Sequence, residues 1–160
     1  MRRLTYAIAA AGALLAADTT TAIISGGGPL DCSGAALSQG VIWPPDHSMV
    51  PETIMGVTTD GTLMPVNITI TSIFQDEPVN ARGSGNTAPD GAGVGGSTAY
   101  VRAERAGPGT GRMYFISFTA TDGSGGQCSG TLTANVPHDQ GQGYIPVDTG
   151  YRYDSTLVPP

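Results

Sequence analysis

Apolar and polar side chains alternate most clearly between Arg112 and Gln140. Tyr114, Ile116, Phe118 and Ala120 interleave there with Met113, Phe115, Ser117 and Thr119. After Asp122-Gly-Ser-Gly-Gly, Leu132, Ala134 and Val136 interleave with Thr131, Thr133 and Asn135. A period of two belongs to half-buried strands, and glycines between two such runs supply positive φ without steric cost, so the pattern predicts a β-hairpin. A hairpin alone is marginal in water and needs further strands over its apolar face.

Those strands are readable on the N-terminal side. Residues 41–50 hold the single Trp and the Pro44-Pro45 pair, which predicts an edge strand with a kink or bulge and Trp43 capping one end of the core. Residues 53–58 and 66–74 follow as strands, the second with Val66, Ile68 and Ile70 on one face. Alternation resumes over 98–105 through Ala99, Val101 and Ala103. Residues 75–97 lose all period and are rich in Gly, Asp and Asn, a length that in a compact domain signals function, a bound ion or flexibility. No amphipathic helix is legible. The fold class expected is all-β, an Ig-like antiparallel β-sandwich of about seven strands.

The ends read differently. Met1-Arg-Arg followed by apolar residues 4–17 has the layout of an export signal; residues 1–25 are a signal peptide or, if retained, a membrane anchor. As one helix, residues 4–25 would be about 33 Å long, enough to cross a bilayer. Residues 26–30 form a Gly-rich linker, 31–141 the domain, and 142–160 an extended tail bearing Tyr and Pro. Export places the protein in the periplasm or at the cell surface.

Composition narrows the partners. Acids number 13 against 7 cations, all of them Arg, for a net charge of -6, so a phosphate backbone is repelled and nucleic-acid binding is not expected. Cys32 and Cys128 lack the C-x-x-C spacing of zinc or redox sites, and one disulfide is the natural reading, with two buried free thiols as the alternative. If the first and last strands run parallel as neighbours, the two cysteines fall at the same end.

Acidic and amide side chains concentrate in the presumptive loops: Asp60, Asp76, Glu77, Asn80, Asn86, Asp90 and Asp122. Of these, Asp76, Glu77, Asn80 and Asp90 are candidate ligands of a structural Ca²⁺, although no D-x-D-x-D-G loop is present. No other cofactor is implied. His47 and His138 each adjoin an Asp, but the parallel-strand argument places them at opposite ends, as turn histidines bonded to backbone. Arg102, Glu104 and Arg105 read as an ion-pair ladder on a solvated strand face. Residues 91–96 match G-x-G-x-x-G yet neither follow a clear strand nor open a helix, and no nucleophile elbow, H-E-x-x-H helix or P-loop occurs. The expectation is a protein that is not an enzyme.

The strings W-P-P-D-H, Q-D-E-P-V-N, R-A-E-R and P-H-D-Q together resemble a bacterial extracellular Ig-like domain, similar to hyalin-repeat and PKD-type modules, over residues 31–141. The resemblance implies an extracytoplasmic, non-enzymatic structural or binding role. A nearly solitary module behind a leader points to an accessory subunit that contacts other proteins of an extracytoplasmic or membrane assembly. Trp43, Tyr144, Tyr151 and Tyr153 are the candidate contact residues, with membrane contact through 4–25. The alternative is a free secreted adhesion or carbohydrate-binding module that uses the 75–97 loop and exposed aromatics such as Tyr100.

Overall fold

The computed structural model describes residues 30–59, 65–80, 82–141 and 145–159. The expected leader or anchor at 1–25, and Asp60 and Tyr144, lie outside the described residues. Eight strands and no helix occur among those described: β1 (Ala36–Leu37), β2 (Met49–Met55), β3 (Asn67–Gln75), β4 (Gly91–Ala92), β5 (Thr98–Arg102), β6 (Gly111–Thr121), β7 (Gln127–Pro137) and β8 (Tyr153–Asp154). They form two four-stranded antiparallel sheets, ordered β1-β2-β5-β4 and β7-β6-β3-β8.

The β6–β7 hairpin is the longest paired unit, in unbroken register from Gly111↔Pro137 to Thr121↔Gln127. Its inward residues Tyr114, Ile116, Phe118, Ala120, Ala134 and Val136 are all buried, and they meet Ala99 and Val101 of the other sheet in one core. Each fully buried Ile or Phe is worth about 1.5–3 kcal/mol of apolar transfer. In β3 the inward face begins with Ile68 and Ile70, but a register shift between Ile70 and Ser72 changes its parity, so that Ile73 is the next core residue.

Both flanks of the two layers are stitched. On one flank the chain leaves β1 and crosses to β7, where Val41 bridges Asn135 in parallel. The inward-turned Glu52 carboxylate holds that crossing by accepting from the Ser38 hydroxyl and from the amides of Gln39 and Gly40, at 3.0, 3.0 and 3.2 Å. That single parallel bridge is made by Val41, outside the eight strands, β1 itself pairing antiparallel with β2, while Cys32 and Cys128 do meet at one end, their Cα atoms 5.9 Å apart in a disulfide. Closing a loop of 96 residues removes unfolded-state freedom worth about 4–5 kcal/mol in the chain-entropy model. Ile42, only 2% exposed, takes the core position expected of Trp43, which is 40% exposed.

The other flank corrects the expectation for the C-terminal segment. Residues 145–159 do not extend away from a domain ending at 141. Pro146 is buried, Thr149 donates its amide and hydroxyl to Asp76, and Arg152 lies 3.6 Å above the Phe115 ring. β8 then adds to the edge of β3, and Ser155 donates to the Ile73 carbonyl while its own carbonyl accepts from the amides of Asp90 and Gly91. Ser155 thereby ties the two sheets together. The seam requires glycine at 91, where a Cβ would stand 2.7 Å from Ser155 Cβ. A chain ending at Gly141 should therefore fold with markedly lower stability, measured as a fall in denaturation midpoint. An unchanged midpoint would show the segment to be an appendage.

Candidate functional site

Strand parity also places a charge inside. Arg112 shares the inward face of β6 with Tyr114 and Ile116 and is fully buried. A buried guanidinium needs acceptors for its fork of N–H donors, and they come from three separate stretches of chain. Nε donates to Glu77 Oε2 at 3.0 Å, and Nη1 to Asp90 Oδ2 at 2.8 Å and to the Tyr114 hydroxyl at 3.1 Å. Nη2 faces Glu104 Oε1 at 3.6 Å. Gln75 binds across the same group, its Nε2 donating to Asp90 Oδ2 and the Glu77 carbonyl, both at 2.9 Å.

The network reaches outward from there. Glu77 Oε2 accepts the Ala106 amide at 2.8 Å, and Glu104 Oε2 meets Thr87 Oγ1 and, at 3.0 Å, His47 Nδ1. Arg102 lies 3.5 Å from Asp90 Oδ1 and donates to the carbonyls of His47 and Pro89. Three carboxylates thus surround one buried arginine, with a second arginine at the margin. Within the long loop expected over 75–97, the stretch from Glu77 to Asp90 is pinned at both its ends to a single guanidinium, and β4 follows it.

Titration follows from this placement. Burial pushes the Asp90 carboxyl above the ordinary aspartate range, against the pull of Arg112 and Gln75. Burial likewise raises the Tyr114 phenol. For Arg112 burial works against the charge, but Tyr114, Asp90 and Glu77 outweigh it and hold the guanidinium above its usual value.

The remaining acids serve another purpose. Asp31, Asp46, Asp122, Asp139, Asp148 and Asp154 each accept the backbone amide two residues on. These are Asx turns, in which the side chain supplies the acceptor that the turning backbone lacks. Hydrogen bonds to the charged form hold Asp31, Asp46, Asp122 and Asp139 below the usual carboxylate range. Asp148, paired with Arg152, is brought down to about 2.

The four candidate calcium ligands divide. Glu77 and Asp90 come together, with Arg112 between them. Asp76 instead accepts the Met113 amide at 2.9 Å, and Asn80 is exposed in a left-handed turn at φ 60°. No group of three or more His, Cys, Asp or Glu set to hold a metal occurs among the described residues. Glu104 is fully buried rather than part of a solvated ladder, because β5 ends at Arg102 and the chain turns there, the Glu104 amide donating to the Arg102 carbonyl. The histidines sit at the same end, not at opposite ends. Residues near 41 run parallel to β7, so the exits of both reach the same turn: His47 N bonds the Ala103 carbonyl and His138 Nε2 the Gly107 carbonyl. Sequence reasoning passed over Arg112 although its parity with Tyr114 was on view.

Of the candidate contact residues, Tyr151 is 65% exposed and Tyr153, in β8, half-buried, their rings 6.0 Å apart. Beside them a mainly apolar groove of about 330 Å³ is lined by Pro78, Val79, Tyr153, Leu157, Val158 and Pro159, with Asp154 as its one charged residue. Fold and site together define an all-β protein of two four-stranded antiparallel sheets, consistent with a β-sandwich, with a buried arginine–carboxylate network at one end. Comparison with family models, curated proteins and solved structures finds no match.

Two predictions follow from the network and the turns. Arg112→Met leaves the buried carboxylates without their cation and should cost about 3–5 kcal/mol in chemical denaturation, the range for breaking a buried pair from one side; a loss under about 1 kcal/mol, the scale of exposed pairs, would refute the hub. In acid the two sets of aspartates act with opposite sign. The lowered group stabilises the fold above the unfolded value near 3.8 and loses that contribution as pH falls toward about 2, whereas Asp90 opposes folding once ionised and relents on protonation. Stability should therefore decline below the ordinary aspartate range in the parent chain and in Asp90→Asn alike. Above that range, between the unfolded value near 3.8 and the raised native value of Asp90, falling pH adds a stabilising contribution that only the parent chain shows. Denaturant titrations on both sides of the unfolded value read the two contributions, and a variant that keeps the parent's gain above it contradicts the assignment.

Proposed function

We propose that this protein is a non-catalytic, exported Ig-like β-sandwich module that acts by surface contact, as an accessory subunit of an extracytoplasmic or membrane-attached assembly. The observation that carries the reading is the distribution of exposed apolar side chains. Ile145, Val147, Tyr151, Leu157 and Val158 are each at least 60% exposed, all within one short C-terminal segment, and the apolar groove adjoins it. Exposed apolar groups gathered in this way mark protein contact sites. The clustered ionisable groups, in turn, are engaged with one another in the interior, a structural use of charge. The segment held against β3 is thus itself the contact surface, in place of a free arm that wraps a neighbour.

A second reading, a free secreted carbohydrate-binding module, draws on Tyr100. Its ring is 42% exposed on the outer face of β5, with Pro51 and Ala92 as its cross-strand neighbours. That is an uncharged surface on which a sugar ring can stack.

The two readings separate by experiment. In the first, Tyr151→Ala combined with Leu157→Ala abolishes co-purification of an envelope protein partner while the melting midpoint stays that of the parent chain. Co-purification that survives this pair, together with glycan-array binding that disappears in Tyr100→Ala, favours the second.

A further inference from the structure

Sheet edges are templates for pairing with another chain, and proteins commonly blunt them by shortening the edge strand or placing charge, Pro or a bulge on it. Four strands lie at edges here, and three of them, β1, β4 and β8, are two residues long. β7 is the exception, with eleven residues. It carries no charged side chain, its one Pro is the last residue, and its register with β6 has no bulge.

Its free side can be assigned residue by residue. Asn135 donates to the Gly40 carbonyl and accepts the Ile42 amide, both at 2.8 Å, so its main chain points away from β6. By the period of an antiparallel ladder the main-chain groups of Thr133, Thr131, Ser129 and Gln127 point the same way. All four residues are exposed, and among the described residues no main-chain hydrogen bond of this side meets Ser129, Thr131 or Thr133. The crossing chain at 40–42 hydrogen-bonds this edge only at Asn135, and the disulfide holds Cys32 beside Cys128, their Cα atoms 5.9 Å apart.

We propose that this edge pairs with the same edge of a second copy, antiparallel about a two-fold axis at Ser129, joining the β7-β6-β3-β8 sheets of two copies into one. The occupant is argued from charge and symmetry. A chain of net charge -6 repels its own copies, and β7 is the one long edge along which no like charges are opposed. A two-fold then satisfies both edges reciprocally, since each brings the same alternation of donors and acceptors. An axis at Ser129 sets Gln127 opposite the partner's Thr131 and keeps the partner's β6–β7 turn short of the 40–42 crossing. Contact along one strand edge buries little surface and belongs to the weak class of interfaces. The inference concerns self-association and does not depend on the accessory-subunit reading.

Sedimentation equilibrium of the full chain, up to about 1 mM so that weak association registers, is the first measurement. The expected result is a monomer–dimer equilibrium that is lost in Ser129→Lys, which opposes two cations across the axis. It is lost too in Ser129→Pro, which removes an outward donor and leaves the β6 ladder intact. Amide exchange at Ser129 and Thr131 should slow with rising concentration in the parent chain. A chain that stays monomeric throughout, a dimer that survives Ser129→Lys, or edge amides protected equally at every concentration overturns the proposal, the last outcome assigning the edge to another part of the same chain.

Discussion

A guanidinium shut away from water has to be met by acceptors, and this requirement governs how the loop end of the molecule is built. Arg112 points inward because the strand period that buries Tyr114 and Ile116 gives it no other side. Its partners come from beyond β3, from the entry to β4 and from the turn after β5. Each of those segments is irregular, and each has its course fixed by one carboxylate. Burying the ions costs desolvation that the pairing must offset, so the network contributes less to net stability than to specifying one arrangement of the loops. The structure supports that view, since Glu77 and Asp90 sit at the two ends of a glycine-rich stretch with no strand period to guide it.

The flanks of the sheets answer a different constraint. Two stacked sheets leave an open seam on each side, and each seam is closed here by main chain. On one side Gly40 to Ile42 joins β7, steadied by Glu52; on the other Ser155 spans Ile73 and Gly91. The disulfide adds a covalent tie at the first seam. Buried carboxylates organise backbone from within: Glu52, Asp76 and Glu77 each accept main-chain amides, a charge-assisted bond stronger than a neutral one.

What the sequence disclosed and what it hid divide along these lines. The β6–β7 hairpin was legible because one face of it is buried along most of its length, and period two survives wherever a single face is covered. β5 was overextended: Ala103 and Glu104 continue the alternation on paper, whereas the chain has already turned. The bulge in β3 made Ile73 invisible to a simple parity count. The closing role of Ser155 has no side-chain signature at all, since it works through its amide and carbonyl. The candidate site was half legible. Glu77 and Asp90 were picked out as converging acids, but the group they converge on was missed because Arg112 was counted as a strand residue and not as a charge. The Asp-x-Ser, Asp-x-Gly and Asp-x-Thr spacings were equally plain, and they record turn chemistry at six aspartates.

This use of charge shapes what remains for the surface. Arg102, Arg105 and Arg112 bond to carbonyls or carboxylates of their own chain, and Arg152 is spent on Asp148 and the Phe115 ring. Most of the acids are occupied by turns or by the buried network. Long-range charge steering therefore has little specific material beyond the net charge of -6. What the outer surface offers in its place is apolar side chain on the C-terminal segment and, along β7, a row of hydroxyls with main chain beside them. Recognition through such groups depends on contact at close range and on matched hydrogen bonds. Its strength should respond strongly to the shape of a single edge or groove, with salt acting only through screening of the net charge.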